Sequence, residues 1–356
     1  MSRNMKFYKI ALILNLIFIS NLSGFARDIK LIEKRKDYNF EYSTSGVSKL
    51  EITNQFGEVK VMFWNQNKIQ TTVHVIANAP NNVLLNDFIS SVKINGNRKN
   101  SIVSIKTEIQ KTDFNLKKLN TDKNTNFKID YLVFMPNNLE LCLTNSFGEV
   151  TLPEFTAPLS LNLNYCTLKA DKISNKLSNI NLNYGKANIK SLLGGEINSN
   201  FTAVSMGEVR NVNLKNNNGS FKAKYLEDID GILNYSGGVF ENIKEAVKLK
   251  VNFSNDLKIN NIDEKVKNLE IFSNYSNISL PISEKFNGIF DIKTNHGNFW
   301  VDPSLVIHFI KNSETDNQKP GFKTRTSNAY QGTIGSNKNS ESKIIIISNY
   351  GDVKIK

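Results

Sequence analysis

Leu159-Ser160-Leu161-Asn162-Leu163-Asn164-Tyr165-Cys166-Thr167-Leu168-Lys169-Ala170 is the stretch on which the fold turns. Leucines alternate with polar residues up to Asn164, an aromatic and a small residue follow, and the alternation resumes at Leu168 and Ala170. Period two is a strand signal, and its interruption marks a corner. The same Asn, mostly aromatic, small triplet returns as Asn183-Tyr184-Gly185, Asn200-Phe201-Thr202, Asn217-Asn218-Gly219, Asn234-Tyr235-Ser236, Asn252-Phe253-Ser254, Asn274-Tyr275-Ser276, Asn295-His296-Gly297 and Asn349-Tyr350-Gly351. Successive anchors lie 19, 17, 17, 17, 18, 22 and 21 residues apart, with a gap of 54 before the last. Asn54-Gln55-Phe56-Gly57 and Asn145-Ser146-Phe147-Gly148 are variants with one extra residue before the aromatic.

A further apolar residue follows about eight positions after most anchors, at Phe155, Ile173, Leu192, Val209, Leu226 and Ile243. Each unit therefore holds two short strands and two corners, which is one coil of a parallel β-solenoid of about 17–22 residues per coil. No coil buries a core alone; stacking neighbours does. Parallel coils place equivalent residues about 4.8 Å apart, so each Asn amide can donate to one neighbour and accept from the other, with the aromatics stacked beside them. The small residue after the aromatic is expected to make the turn at positive φ. Asn200, Asn218, Asn234, Asn252 and Asn274 each begin an N-x-S/T sequon, which on this reading is a by-product of the ladder.

The 356 residues carry 45 Lys+Arg against 33 Asp+Glu, with 40% apolar residues, a composition that excludes collagen-like, disulfide-scaffold and wholly disordered chains. Arg3, Lys6 and Lys9 precede an apolar run at 10–22 that ends in Ser23-Gly24-Phe25-Ala26. That run is too short to span a bilayer and reads as a secretory signal peptide cleaved after Ala26. Removing its three positive and no negative charges lowers the net charge from +12 to +9, a mild basic bias. An oxidising compartment follows, yet Cys142 and Cys166 fall on an outward strand position and a turn slot and are not expected to pair.

The domain plan is a signal peptide at 1–26, an N-terminal β region and cap at 27–138, regular coils at 139–302, a polar insertion at 303–343, and closing strands at 344–356. Within the first region, 49–63 and 69–77 read as a leading strand pair and 83–91 as a short amphipathic stretch. Strands follow at 92–95, 102–108 and 127–135, with a polar loop at 110–126. Lys354 and Lys356 sit on the last strand, where charge would block edge-to-edge association.

The signal peptide, Leu50-Glu51-Ile52-Thr53-Asn54-Gln55-Phe56-Gly57-Glu58-Val59, the second Asn145-Ser146-Phe147-Gly148-Glu149-Val150, the serial coils and the closing Ser348-Asn349-Tyr350-Gly351-Asp352-Val353 together resemble adhesin-like β-solenoid proteins of Bacteroidetes envelopes. The resemblance covers nearly the whole mature chain. It implies an exported envelope protein of uncharacterised function and brings no catalytic residues with it.

The residues themselves point away from catalysis. His74, His296 and His308 are scattered, and His296 takes the aromatic slot of its coil. No H-x-x-x-H, C-x-x-C, G-x-S-x-G, P-loop or dinucleotide fingerprint occurs. No cofactor or metal is expected. Glu149, Glu154, Glu227, Asp228 and Asp230 are the residues that an acidic cleft of the kind polysaccharide-cleaving solenoids use would draw on, but they do not recur at one register across adjacent coils.

Four residues after the aromatic stand Thr151, Lys169, Asn188, Ser205, Lys222, Ser279, Trp300 and Lys354, with Lys258 joining after a one-residue shift. This lysine-spotted row is either solvated surface or a face for a surface glycan or polyanion; Lys169, Lys222, Lys258 and Trp300 are the candidate ligand-binding residues. The expected function is an exported, non-enzymatic, adhesin-like solenoid at the periplasm, outer-membrane surface or medium, without specific nucleic-acid binding or a transmembrane span. The alternatives are a polysaccharide hydrolase or lyase, and a structural or stress-response envelope component without a small ligand; besides a glycan or polyanion, the other partner expected is an envelope protein.

Overall fold

The computed structural model describes residues 31–110, 125–254, 257–314, 327–337 and 340–356. The segment expected as a signal peptide, 1–26, and most of the loop expected at 110–126 lie outside these residues. The fold is all-β, a parallel β-solenoid, with the single described helix at Asn82–Ser91.

In the middle of the molecule, strands Glu140–Leu152, Leu159–Ile173, Asn179–Leu192, Gly195–Asn217, Ser220–Asn234 and Gly237–Asn252 pair in parallel, each with the next. The register sets like on like: Leu161 on Ile180 on Ile197, and Ile173 on Leu192 on Val209 on Leu226 on Ile243. All eight are fully or almost fully buried. A completely buried aliphatic side chain contributes about 1.5–3 kcal/mol relative to exposure, so these rows carry the stability of the coil stack. Sizes compensate between neighbours, since Phe221 lies beside Gly238 and Phe240 beside Ala223. A Cβ at Gly238 would come within 2.9 Å of Leu257 Cδ1 and 3.1 Å of Leu233 Cδ1.

The corner differs from its expected geometry. Positive φ falls on the aromatic, from 49° at Phe201 to 61° at Phe56 and Phe147, and not on the small residue that follows. Gly stands after the aromatic for a different reason: a Cβ at Gly148 would lie 1.9 Å from the carbonyl oxygen of Gly57, and one at Gly297 would lie 2.1 Å from that of Gly351. The slot is tight because the neighbouring coil presses a carbonyl into it. Where the slot holds Cys166, Thr202, Ser236, Ser254 or Ser276, the side chain donates to the carbonyl of the ladder Asn two residues earlier. A left-handed L-residue costs roughly 1–2 kcal/mol, and each of these corners bears that cost.

At the N-terminal end, Lys49–Phe63 and Lys68–Ala79 are not partners, contrary to the expected leading pair. Asn126–Met135 lies between them, antiparallel to Lys68–Ala79 and parallel to residues 59–63. Ile32–Ser43 adds an outer antiparallel strand. The other half of the first coil, residues 49–53, pairs with Ile102–Ile109, which in turn carries Val92–Lys99 antiparallel. Leu85, Phe88 and Ile89 are the buried apolar side chains of the helix, and Phe88 meets Phe127 with ring centroids 4.5 Å apart. Asn54 and Asn145, whose anchors carry the extra residue, point inward. Ser146, not Asn145, pairs with Asn164, and the two buried amides donate instead to the carbonyls of Ile129 and Gly57.

The C-terminal end departs from sequential stacking. Lys343–Asn349 pairs in parallel with Asn268–Asn274 on one side and with Gly288–Asn295 on the other, and Val353–Ile355 lies between Ile278–Leu280 and Phe299–Val301. The last coil in sequence is therefore inserted between two earlier ones. Lys354 and Lys356 guard no open edge, because strand Val353–Ile355 is paired on both sides; the terminal position belongs to the segment expected as a polar insertion. Its strands Ile307–Glu314 and Ser327–Ile334 are antiparallel, and Ser327–Ile334 covers the exposed side of Gly288–Asn295.

Candidate functional site

Nine Asn amides form one unbroken ladder. In axial order Asn164, Asn183, Asn200, Asn217, Asn234, Asn252, Asn274, Asn349 and Asn295 are joined by eight Nδ2-to-Oδ1 hydrogen bonds of 2.7–3.1 Å. Each internal amide donates once and accepts once, so the row is satisfied by its own neighbours. Asn349 bridges Asn274 and Asn295, which fixes the axial place of the inserted coil.

Beside the amides run the rings. Phe56, Phe147, Tyr165, Tyr184 and Phe201 stack with centroids 4.9–5.2 Å apart and planes within 9°. Tyr235, Phe253, Tyr275, Tyr350 and His296 form a second stack at 4.6–4.9 Å. His296 thus takes the stacking place its position in the repeat suggested. Cys142 and Cys166 are free thiols; Cys166 is buried, its Sγ lies 3.2 Å from the Asn164 carbonyl, and burial pushes its pKa up.

The outward row is continuous in register. Thr151 pairs with Lys169, Lys169 with Asn188, Asn188 with Ser205, Ser205 with Lys222, Lys222 with Val239 and Val239 with Lys258. In the C-terminal coils Ser279 pairs with Lys354 and Lys354 with Trp300. The insertion of the last coil therefore sets a lysine directly beside Trp300, which is 58% exposed. Lys169 is ion-paired with Glu149 at 2.7 Å, while Lys222 and Lys258 have no carboxylate within ion-pair distance among the described residues. Val239 breaks the polar run between them.

Two positions further along each strand lies a second outward row that the sequence reading passed over, with Asp171, Lys190 and Lys224. Its signal was the same two-residue alternation. Between the two rows is an open trough of about 550 Å³, lined by Thr151, Lys169, Asn188 and Ser205 and by Asp171, Lys190 and Lys224. Lys190 is paired with Asp171 at 2.6 Å. A long polymer could lie across such a trough without entering a closed pocket.

The five candidate carboxylates do not gather in one place. Glu149 is paired with Lys169, Glu154 with Lys172 at 2.8 Å and Glu227 with Arg210 at 3.2 Å. Asp228 and Asp230 border a separate shallow hollow with Lys248 and Glu270. Among the described residues no group of three or more His, Cys, Asp or Glu is placed to hold a metal ion. His74 is tied to Asp37 at 2.8 Å and to Arg35 at 2.7 Å, far along the chain from the row. No helix among the described residues is long and apolar enough to cross a membrane.

No protein family matches the sequence, and no curated protein is similar to it. Among solved structures, a candidate cell adhesion protein from Clostridium sporogenes is 15% identical over 91% of this chain and 99% of its own, with a TM-score of 0.23. A candidate adhesin from Bacteroides fragilis is 10% identical over 90% of this chain and 97% of its own, with a TM-score of 0.34. Superposition this loose carries no argument about fold or function, which rest on the chain's own geometry.

Proposed function

We propose that this chain is an exported, non-enzymatic, adhesin-like solenoid that binds a surface glycan or polyanion along its outward lysine-spotted face. One observation carries the reading: Lys169, Lys222 and Lys258 fall on a single register row, and Trp300 with Lys354 continues its pattern at the far end. At about 4.8 Å per coil the row from Lys169 to Trp300 extends roughly 40 Å. A repeating polymer is the ligand whose length and periodicity suit such a face. Lys222 and Lys258 supply cations free for anionic groups, and Trp300 an exposed ring for a sugar. The pairing of Glu149, Glu154 and Glu227 with cations supports binding over cleavage.

The test is a glycan and polyanion array with residues 27–356 at two salt concentrations, beside a Trp300→Ala, Lys222→Ala, Lys258→Ala variant. Salt-resistant binding to one glycan class that the variant loses is the expected outcome. Binding abolished by salt would instead mark a polyanion held by charge alone. Equal binding by variant and wild type would remove the row from the function.

A further inference from the structure

The two ring stacks stop on either side of one coil. Asn218 stands where every other anchor has an aromatic or His, and the backbone of its corner matches that of the neighbouring coils. Its φ of 53° matches Phe201 at 49° and Tyr235 at 50°. Its N–H donates to the Asn234 carbonyl at 2.9 Å, as Tyr235 does to Asn252. The amide ladder runs through Asn217 at 2.7 and 2.8 Å. Only the ring is missing.

Phe201 and Tyr235 therefore face each other across two coil spacings, about 9.6 Å. A six-membered ring placed midway would sit about 4.8 Å from each, the separation at which the protein's own rings stack. Of the two rings bordering the gap, Tyr235 is 60% exposed against 46% for Phe253 beside it, while Phe201 at 51% is as covered as the internal Tyr165 at 52%. Elsewhere in the stacks both faces of an internal ring are taken by neighbours, and a ligand meets only edges.

We infer that the gap at Asn218 is a binding slot for one pyranose ring of a glycan, held between the faces of Phe201 and Tyr235 with Asn218 at its base. The inference rests on the glycan-binding reading above. Aromatic faces are electron-rich and attract the polarised C–H groups of a sugar ring. The exposed Asn218 carboxamide offers two donors and an acceptor to sugar hydroxyls. An inserted aromatic side chain would satisfy the rings and leave that amide unpaired, which favours the sugar.

The test uses the mature chain and a panel of soluble hexasaccharides of glucose, galactose, xylose and N-acetylglucosamine, with affinities read by calorimetry. Asn218→Tyr supplies the missing ring and closes the slot. It should keep or raise the melting temperature while weakening the best oligosaccharide by at least tenfold. Phe201→Ala and Tyr235→Ala, which each remove one face, should weaken it by a similar factor, and they serve if Asn218→Tyr fails to fold. Unchanged affinity in these variants, or no oligosaccharide bound by the wild type, overturns the slot. If the Trp300→Ala, Lys222→Ala, Lys258→Ala variant keeps full affinity while Asn218→Tyr loses it, the slot stands and the row reading falls. The opposite pattern sinks the slot and leaves the row.

Discussion

The coils from Asn164 to Asn252 and those from Asn274 onward use the same residues in the same slots, yet they are assembled differently. In the first set every coil lies on the one that precedes it in sequence. In the second, Lys343–Asn349 and Val353–Ile355 are inserted between coils separated from them by 54 and 75 residues. Stability in a sequential array is close to a sum of nearest-neighbour terms, so damage spreads outward from one interface. An inserted coil carries strand pairing to both of the coils it separates, and removing it opens two interfaces at once.

Deleting residues 343–356 should therefore have the largest effect. It removes the buried Ile344, Ile346, Val353 and Ile355, each worth about 1.5–3 kcal/mol, and strips Asn268–Asn274 and Gly288–Asn295 of a partner. Amide exchange should show protection lost throughout 268–301 and kept in 159–252. Retained protection in Gly288–Asn295 would break the contrast between the two regions.

A smaller perturbation sharpens it. Ile180 and Ile346 occupy the same inward position and are both fully buried, so Ile→Ala at either should cost about 2–5 kcal/mol in urea unfolding. The cost should appear as local opening on both sides of the inserted coil for Ile346→Ala. For Ile180→Ala it should stay with the coils around Asn183.

In the amide ladder, Asn234→Ala and Asn349→Ala each leave one donor and one acceptor unpaired, a loss of about 1–3 kcal/mol at these half-buried sites. Equal denaturation midpoints for the two variants would show that ladder energetics ignore chain order. A lower midpoint for Asn349→Ala would assign the excess to the insertion.

The smallest effect concerns the N-terminal cap, the other region of non-sequential pairing. Burial raises the Tyr131 phenol above its ordinary pKa, so the folded state holds that proton more tightly than the unfolded chain. Stability contributed by the neutral phenol is complete below the ordinary phenol pKa of about 10 and is lost as pH rises through and above it. Tyr131→Phe should cost about 1 kcal/mol near neutral pH, through the lost Thr107 contact at 2.8 Å, and should make the alkaline arm of the stability profile shallower. An unchanged alkaline slope would remove Tyr131 from that arm.

Much of this fold was legible because the repeat states its own chemistry. Leu159, Leu161 and Leu163 before Tyr165, and Ile173 eight residues after it, specify inward faces by alternation alone, and the Asn series names the residues that bond between coils. The row from Lys169 to Lys258 was legible for the same reason, including the one-residue shift at Lys258. Corner conformation was not, since Asn-Tyr-Gly suggests a turn at Gly, and only the carbonyl of the adjacent coil shows that this Gly answers a steric limit. The ion pair of Lys169, the proximity of Lys354 to Trp300, and the strands within 303–343 were equally out of reach.

From its sequence alone this protein is determined to be a solenoid, with its coil length, its inward rows, its amide ladder and the one anchor, Asn217-Asn218-Gly219, that lacks a ring. Those properties follow from local spacing, which any stacking order must respect. The tertiary structure decided which coil lies on which. An Asn anchor bonds equally well to any other Asn anchor, so ladder chemistry cannot tell Asn349 whether to follow Asn295 or to enter between Asn274 and Asn295. Only the summed fit of a whole coil against two neighbours, and of the strands Ile307–Glu314 and Ser327–Ile334 against the end, makes that choice.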